Sequence, residues 1–213
     1  MLLVAGVPLS ETVIKPALWR NSLRILSMFT EHGWDINCEE AWCIPQWLWL
    51  AIATNPTHSL VSWFLDNGAD PNRACPLGTS PLSTAVARAP LSIVEMLLQK
   101  FPDTTNFQRQ LLHFAARRTD DESGEVLRLV LDRCQPDVNA WMFEDCPLAY
   151  ECYKVTGLGT ALREVARTGR LDLAGLLIAH GADVSIRDSC GRTAYELAQL
   201  AGHECILDLL KQL

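Results

Sequence analysis

Two short motifs recur in phase along this chain, and the spacing constrains the fold more tightly than any other feature. Thr160-Ala161-Leu162 lines up with Thr193-Ala194-Tyr195, and Gly169 with Gly202, both at an offset of 33 residues. Gly78-Thr79-Ser80-Pro81-Leu82 begins another copy, and Leu112-His113-Phe114-Ala115-Ala116 lies inside a further one. A second motif closes the units: Gly33-Trp34-Asp35-Ile36-Asn37, Gly68-Ala69-Asp70-Pro71-Asn72, Pro136-Asp137-Val138-Asn139 and Gly181-Ala182-Asp183-Val184-Ser185. A fixed period of this length marks a stack of supersecondary units, none of which can bury its apolar face alone.

Two short helical patterns lie between the motifs in each unit. In the last unit these are Ala194 to Leu200 and Glu204 to Leu213, where Ile206, Leu207, Leu209 and Leu210 recur at helical spacing and make one face apolar. Gly202 stops the first helix; Gly68 and Gly181 end second helices at places where the chain needs positive φ. Ser80, Thr160 and Thr193 stand at the capping position of first helices, and Pro81 fits the first turn. Trp47 and Gln110 do not fit this chemistry, so those helix starts are expected to be atypical.

The two motifs resemble the ankyrin repeat, which opens on G-x-T-P-L-H-x-A-A and closes on L-L-x-x-G-A-D-V-N. The best matches are Gly78 to Leu82 for the opening, and Trp63 to Asp70 and Leu176 to Asp183 for the closing. The resemblance covers about residues 20 to 213. It implies an all-α ankyrin-repeat solenoid of stacked helix-turn-helix units with hairpin-like finger loops and almost no sheet. We expect one domain over 1–213, with a partial unit at 11–41 supplying mainly a second helix, Ser22 to His32. Full units follow at 42–74, 75–107, 108–140, 158–187 and 188–213.

The pattern is broken in three places. The second unit has Trp47-Leu48-Trp49-Leu50 instead of the usual start. The fourth carries extra residues between its helices, in Thr119 to Gly124, expected to form a solvated loop. The largest departure is a finger insertion at 140–159, longer than a normal turn by about thirteen residues. It holds four aromatics and three carboxylates. One reading makes it a recognition loop, since aromatic anchors dominate interface energy. The other folds Trp141, Met142 and Phe143 back over the solenoid as a lid on its core.

The resemblance implies a binding module whose partner, a protein rather than a small molecule, meets the concave helix face and the finger tips. Carried over by position, the first helices end on Arg88, Arg117-Arg118 and Arg167, with Arg170 and Arg192 close by, and the finger tips include Leu77 and Thr79. With Trp141, Phe143, Tyr150 and Tyr153 of the insertion, these residues other than Arg170 are the candidate partner-binding residues. Arginine forks bind carboxylate and phosphate groups bidentately, which suits an acidic peptide segment. The plainer possibility is that the arginines pair with carboxylates of neighbouring repeats. An alternative function is a small-molecule-binding or enzymatic ankyrin-fold protein with an aromatic pocket built by Trp42, Trp47 and Trp49, or one closed by the long finger. Against it, large side chains at that end also seal a terminal repeat.

Composition narrows the classes further. Hydrophobic residues make up 49% and charged residues 20%, with a net charge of −7. The overall acidity argues against nucleic acid as partner, because phosphate contacts need a basic face. No apolar run suits a membrane span and no secretory signal stands out, so a cytoplasmic or nuclear monomer is expected. The eight cysteines have neither a C-x-x-C pair nor a histidine at metal-site spacing, so no metal is expected and the thiols read as reduced and mostly structural. No phosphate loop, dinucleotide fingerprint, nucleophile elbow or H-E-x-x-H is present, and neither cofactor nor catalytic residue is assigned. His113 falls on the ankyrin histidine, where the resemblance implies turn hydrogen bonds within the stack.

Overall fold

The computed structural model describes residues 11–38, 46–100 and 108–212. Among these residues the chain consists of short α-helices and turns, with no strand. In order they are α1 (Glu11–Trp19), α2 (Leu23–Glu31), α3 (Trp47–Thr54), α4 (His58–Asp66), α5 (Pro81–Arg88), α6 (Leu91–Lys100) and α7 (Gln108–Ala116). Then come α8 (Ser123–Cys134), α9 (Pro147–Tyr153), α10 (Ala161–Thr168), α11 (Leu171–Ala179), α12 (Ala194–Ala201) and α13 (Glu204–Lys211). First helices pack in a row, α1 on α3, then α5, α7, α10 and α12; α4, α6, α8, α11 and α13 form the row behind. No helix among the described residues is long and apolar enough to cross a membrane.

Local chemistry explains where most helices begin. Ser80 and Ser83 exchange hydrogen bonds across the start of α5, as Thr193 and Glu196 do at α12, so two orphan amide groups are satisfied in each case. Thr160 also stands at a helix start, but its hydroxyl makes no capping bond. The residue three positions on is Arg163, which has no acceptor to complete the exchange. The first unit has two helices rather than mainly one. α1 lacks the opening motif and carries Pro16 inside it, a residue that normally argues against a helix.

One continuous core runs the length of the stack, from Ile14 and Leu18 to Ile206 and Leu210. Its N-terminal end is aromatic. Trp34 meets Phe29, Trp47 and Phe64 edge to face, with centroids 6.3, 5.7 and 6.3 Å apart. Trp47 is buried here and donates from Nε1 to Cys38 Sγ at 3.3 Å. It therefore belongs to the core. Trp49 is half-buried, and Trp42 lies outside the described residues.

The extra residues before α8 are not simply a solvated loop. Arg118 turns inward there, almost fully buried, and donates to the carbonyl oxygens of Val86 and Ala89 at 3.0 and 2.9 Å. It caps the exposed end of α5 while pairing with Asp120 at 2.6 Å. Glu122 accepts from the backbone N–H of Leu91 at 2.9 Å, capping α6 from the neighbouring unit. Arg118 was a candidate for the binding face; its guanidinium is instead consumed inside the stack, because the short Thr119-Asp120 turn leaves it above the open carbonyls of α5.

Candidate partner-binding site

The finger insertion is folded, not an open loop. Met142, Phe143, Ala149 and Leu158 form a second small core, with Phe114, Cys146 and Tyr150 packed against it. The N–H of Met142 donates to Gly159 O at 3.0 Å and closes the insertion at its base. His113 Nε2 lies 2.9 Å from the same carbonyl oxygen, so the histidine of α7 ties down the base of the finger. Phe143 has φ +62°, a left-handed conformation that costs a side-chain-bearing residue about 1 kcal/mol or more. Its ring is buried and stacks on Tyr153 with centroids 5.5 Å apart, which offsets that cost.

The far end of the insertion is latched to the last unit. Ser189 Oγ donates to Lys154 O at 2.5 Å and accepts from Leu158 N–H at 2.7 Å. The N–H of Ser189 in turn donates to Leu158 O at 2.7 Å. Gly157 has φ +82°, and a Cβ there would collide with Arg192, Arg163 and Asp188, so only glycine fits.

Beside the small core lies a cavity of about 330 Å³. Leu77, Phe114, Phe143, Tyr153 and Leu158 supply its apolar walls. Thr79, Thr156 and Arg117 complete its lining. A finger tip, the end of the first helix α7 and the insertion thus converge on one hollow.

Arg117 is also the edge of a charge network. Its Nη2 donates to Glu164 Oε1 at 2.9 Å, and Arg163 Nη1 donates to the same oxygen at 2.8 Å. Arg167 Nε stands 3.5 Å from Glu164 Oε2. Burial alone pushes the Glu164 carboxyl upward; the hydrogen bond from Arg117 and the charges of Arg117, Arg163 and Arg167 overcome it and hold the group at about 2. Arg163 continues to Asp188 at 3.4 Å, which also takes Arg192 at 3.0 Å. Burial raises Asp188 too, but hydrogen bonds from the backbone and side chain of Arg192 outweigh it, so its carboxyl lies below the ordinary range. Four guanidiniums thus face two carboxylates.

Of the eleven candidate partner-binding residues, the structure brings Leu77, Thr79, Arg117, Phe143 and Tyr153 to the cavity wall. Arg167 and Arg192 enter the adjoining network. Tyr150 supports the small core from behind, Trp141 is half-buried outside the cavity lining, and Arg88 is exposed at the end of α5. Phe114, Thr156, Leu158, Arg163, Glu164 and Asp188 were not anticipated. One signal was present: aligning Leu162-Arg163-Glu164 with Leu112-His113-Phe114 puts Phe114 and Glu164 at the same repeat position; Phe114 shares the cavity lining with Arg117, and Glu164 pairs with it.

The cysteines divide. Cys75 and Cys134 are buried, whereas Cys152, Cys190 and Cys205 are exposed, so the expectation of mostly structural thiols does not hold for those three. They sit on the insertion, a finger tip and the outer helix, where solvent reaches them. Cys43 lies outside the described residues.

The repeats, the paired helices and the convergence of finger tip and concave helix define a solenoid repeat protein. Comparison with known families matches residues 48–140 to ankyrin repeats in three copies and residues 159–189 to a further ankyrin repeat. The chain belongs to the ankyrin-repeat family, whose repeats generally serve protein–protein interaction. The two matches stop and resume on either side of the insertion. Among curated proteins, none matches the chain significantly.

Proposed function

We propose that this protein is a binding module that receives an acidic segment of a partner protein on its concave face, between the finger insertion and the ends of α7 and α10. One observation carries this reading. Arg117, Arg163 and Arg167 surround a single buried carboxylate, and Arg117 also opens onto the cavity, so cationic charge is concentrated where the surface is hollow. On a chain of net charge −7, a local cationic face of this kind steers an acidic partner to one place. Arg167 is half exposed, and among the described residues its side chain is held by the 3.5 Å contact with Glu164 alone, which leaves its remaining donors for a partner carboxylate.

The test is selection of a displayed random-peptide library on the full chain. Selected peptides are expected to be enriched in Asp and Glu, to lose affinity as salt rises, and to bind Arg167→Glu at least roughly tenfold more weakly. Selected peptides without acidic enrichment, or binding unchanged in Arg167→Glu, would refute the proposal.

A further inference from the structure

The cavity beside the finger insertion has features that the charge network alone does not explain. Three aromatic rings and two leucines make its walls, although its mouth is open to solvent and Tyr153 on its rim is 39% exposed. The repeats alone do not make this hollow. Phe143, Tyr153, Thr156 and Leu158 all come from the insertion and its junction with α10, so half the lining is absent from a regular repeat array. The chain also holds Phe143 in a left-handed conformation to place its ring at this wall. Two polar atoms of the adjoining network, Arg117 Nε and Glu164 Oε2, are buried without a hydrogen-bond partner among the described residues.

We infer that this cavity is an anchor subsite: it takes one aromatic or branched apolar side chain of the partner segment, while a carboxylate close to that anchor engages Arg117 and Arg167. The inference rests on the acidic-segment reading above and names how the segment is held. Size selects the occupant. At about 330 Å³ the cavity lies at the low end of the roughly 300–1,000 Å³ typical of pockets for drug-sized ligands, so it fits one large side chain rather than an extended cofactor. Chemistry selects the neighbour. Burying an apolar anchor displaces water from the edge of the Arg117 guanidinium, and a carboxylate arriving there gains a charge-assisted hydrogen bond in a drier setting. Desolvated anchors ringed by polar contacts are where interfaces concentrate their binding energy.

The experiment uses the full chain and peptides selected from the displayed library. Each peptide is measured with its large apolar residue intact and replaced by alanine, against the natural chain, Leu77→Trp, which fills the cavity from its finger-tip wall, and Arg167→Glu. Thermal unfolding checks that both variants fold. As a second measurement, p-benzoylphenylalanine replaces Tyr153 at the rim, and the cross-linked peptide residue is identified by mass spectrometry. Expected results are a loss of about thirtyfold on removing the anchor, a similar loss in Leu77→Trp, and cross-links at or next to the anchor. Acidic peptides that respond to Arg167→Glu but ignore Leu77→Trp and anchor replacement overturn the anchor subsite and leave the acidic-segment reading standing. Peptides that ignore both variants, or a library that yields no binders, overturn both.

Discussion

Replacing Glu164 by glutamine tests whether the arginine network holds the seam between α7 and α10. The Glu164 side chain is 1% exposed and receives Arg117 and Arg163 on one oxygen at 2.9 and 2.8 Å. Glutamine preserves the volume but removes the charge and turns an amide donor toward guanidinium groups. Breaking a buried ion pair by changing one partner typically costs about 3–5 kcal/mol. Proton linkage gives an independent figure. The carboxyl is lowered from 4.5 to about 2, and at about 1.4 kcal/mol per pH unit this is a contribution of about 3 kcal/mol. Because the folded value is the lower one, that contribution is fully present above about pH 4.5 and falls away as the pH drops toward 2. The two estimates agree, so the variant is expected to be less stable by about 3 kcal/mol at pH 7, with the gap narrowing by about 2 kcal/mol at pH 3. The assay is urea unfolding at both pH values, followed by far-UV circular dichroism. Tryptophan fluorescence is the wrong probe, since six of the seven tryptophans precede Phe64 and report on the other end of the stack. Repeats contact only their neighbours, so a single cooperative transition must be verified before free energies are extracted. A gap of unchanged size at the two pH values, or a variant as stable as the natural chain at pH 7, would refute the reasoning.

Two further outcomes follow from single side chains. Arg118→Met keeps the aliphatic stem but strips the cap from α5 and leaves Asp120 unpaired; a loss of about 2–3 kcal/mol in urea unfolding is expected, and stability within about 0.5 kcal/mol of the natural chain would contradict the capping role. Ser189→Ala removes the two hydrogen bonds that its hydroxyl makes to the end of the insertion, so hydrogen exchange at Leu158 N–H should speed up at least tenfold while α3 to α6 are unaffected; uniform acceleration along the chain would point to global destabilisation instead.

The repeat pattern carried most of the fold. Helices α5, α10 and α12 begin where Ser80, Thr160 and Thr193 place them, because an extended residue must precede each first helix whether or not its hydroxyl bonds. α1 was not legible: it has no opening motif, and its proline points the other way, yet burial of Ile14, Ala17 and Leu18 against the next unit outweighs that local preference. The site was legible in part. Position within the repeat identified the finger tip and the arginines at helix ends, but not which of them face a void. Arg117 and Arg118 are adjacent in sequence and separated in role, one at the cavity wall and one buried over α5, because consecutive residues at a helix end point to different sides. Phe143 could be placed in neither camp from composition. In the structure it serves both, its ring sealing the small core and forming part of the cavity wall.

The placement of charge separates a structural role from a binding role. A buried carboxylate such as Glu164 needs partners, and the two close donors on Oε1 from Arg117 and Arg163 meet that need. Arg167 adds least to it: its charge is the smallest of those that lower the Glu164 carboxyl, and the group is half exposed and contacts Glu164 at 3.5 Å without a hydrogen bond, so that among the described residues Oε2 has no hydrogen-bond partner. A contact exposed on its arginine side and lacking a hydrogen bond contributes about 0–1 kcal/mol to stability. Repulsion from Arg117 and Arg163, which crowd the same carboxylate, opposes even that. Stability therefore gives little reason for a third guanidinium in the network that adjoins the hollow, whereas an incoming carboxylate gives a direct one: it would complete the coordination of Arg167 and relieve the crowding of like charges. On this reasoning Arg167→Ala should leave urea unfolding within about 0.5 kcal/mol of the natural chain and still weaken acidic peptides, a combination that a purely structural arginine does not produce.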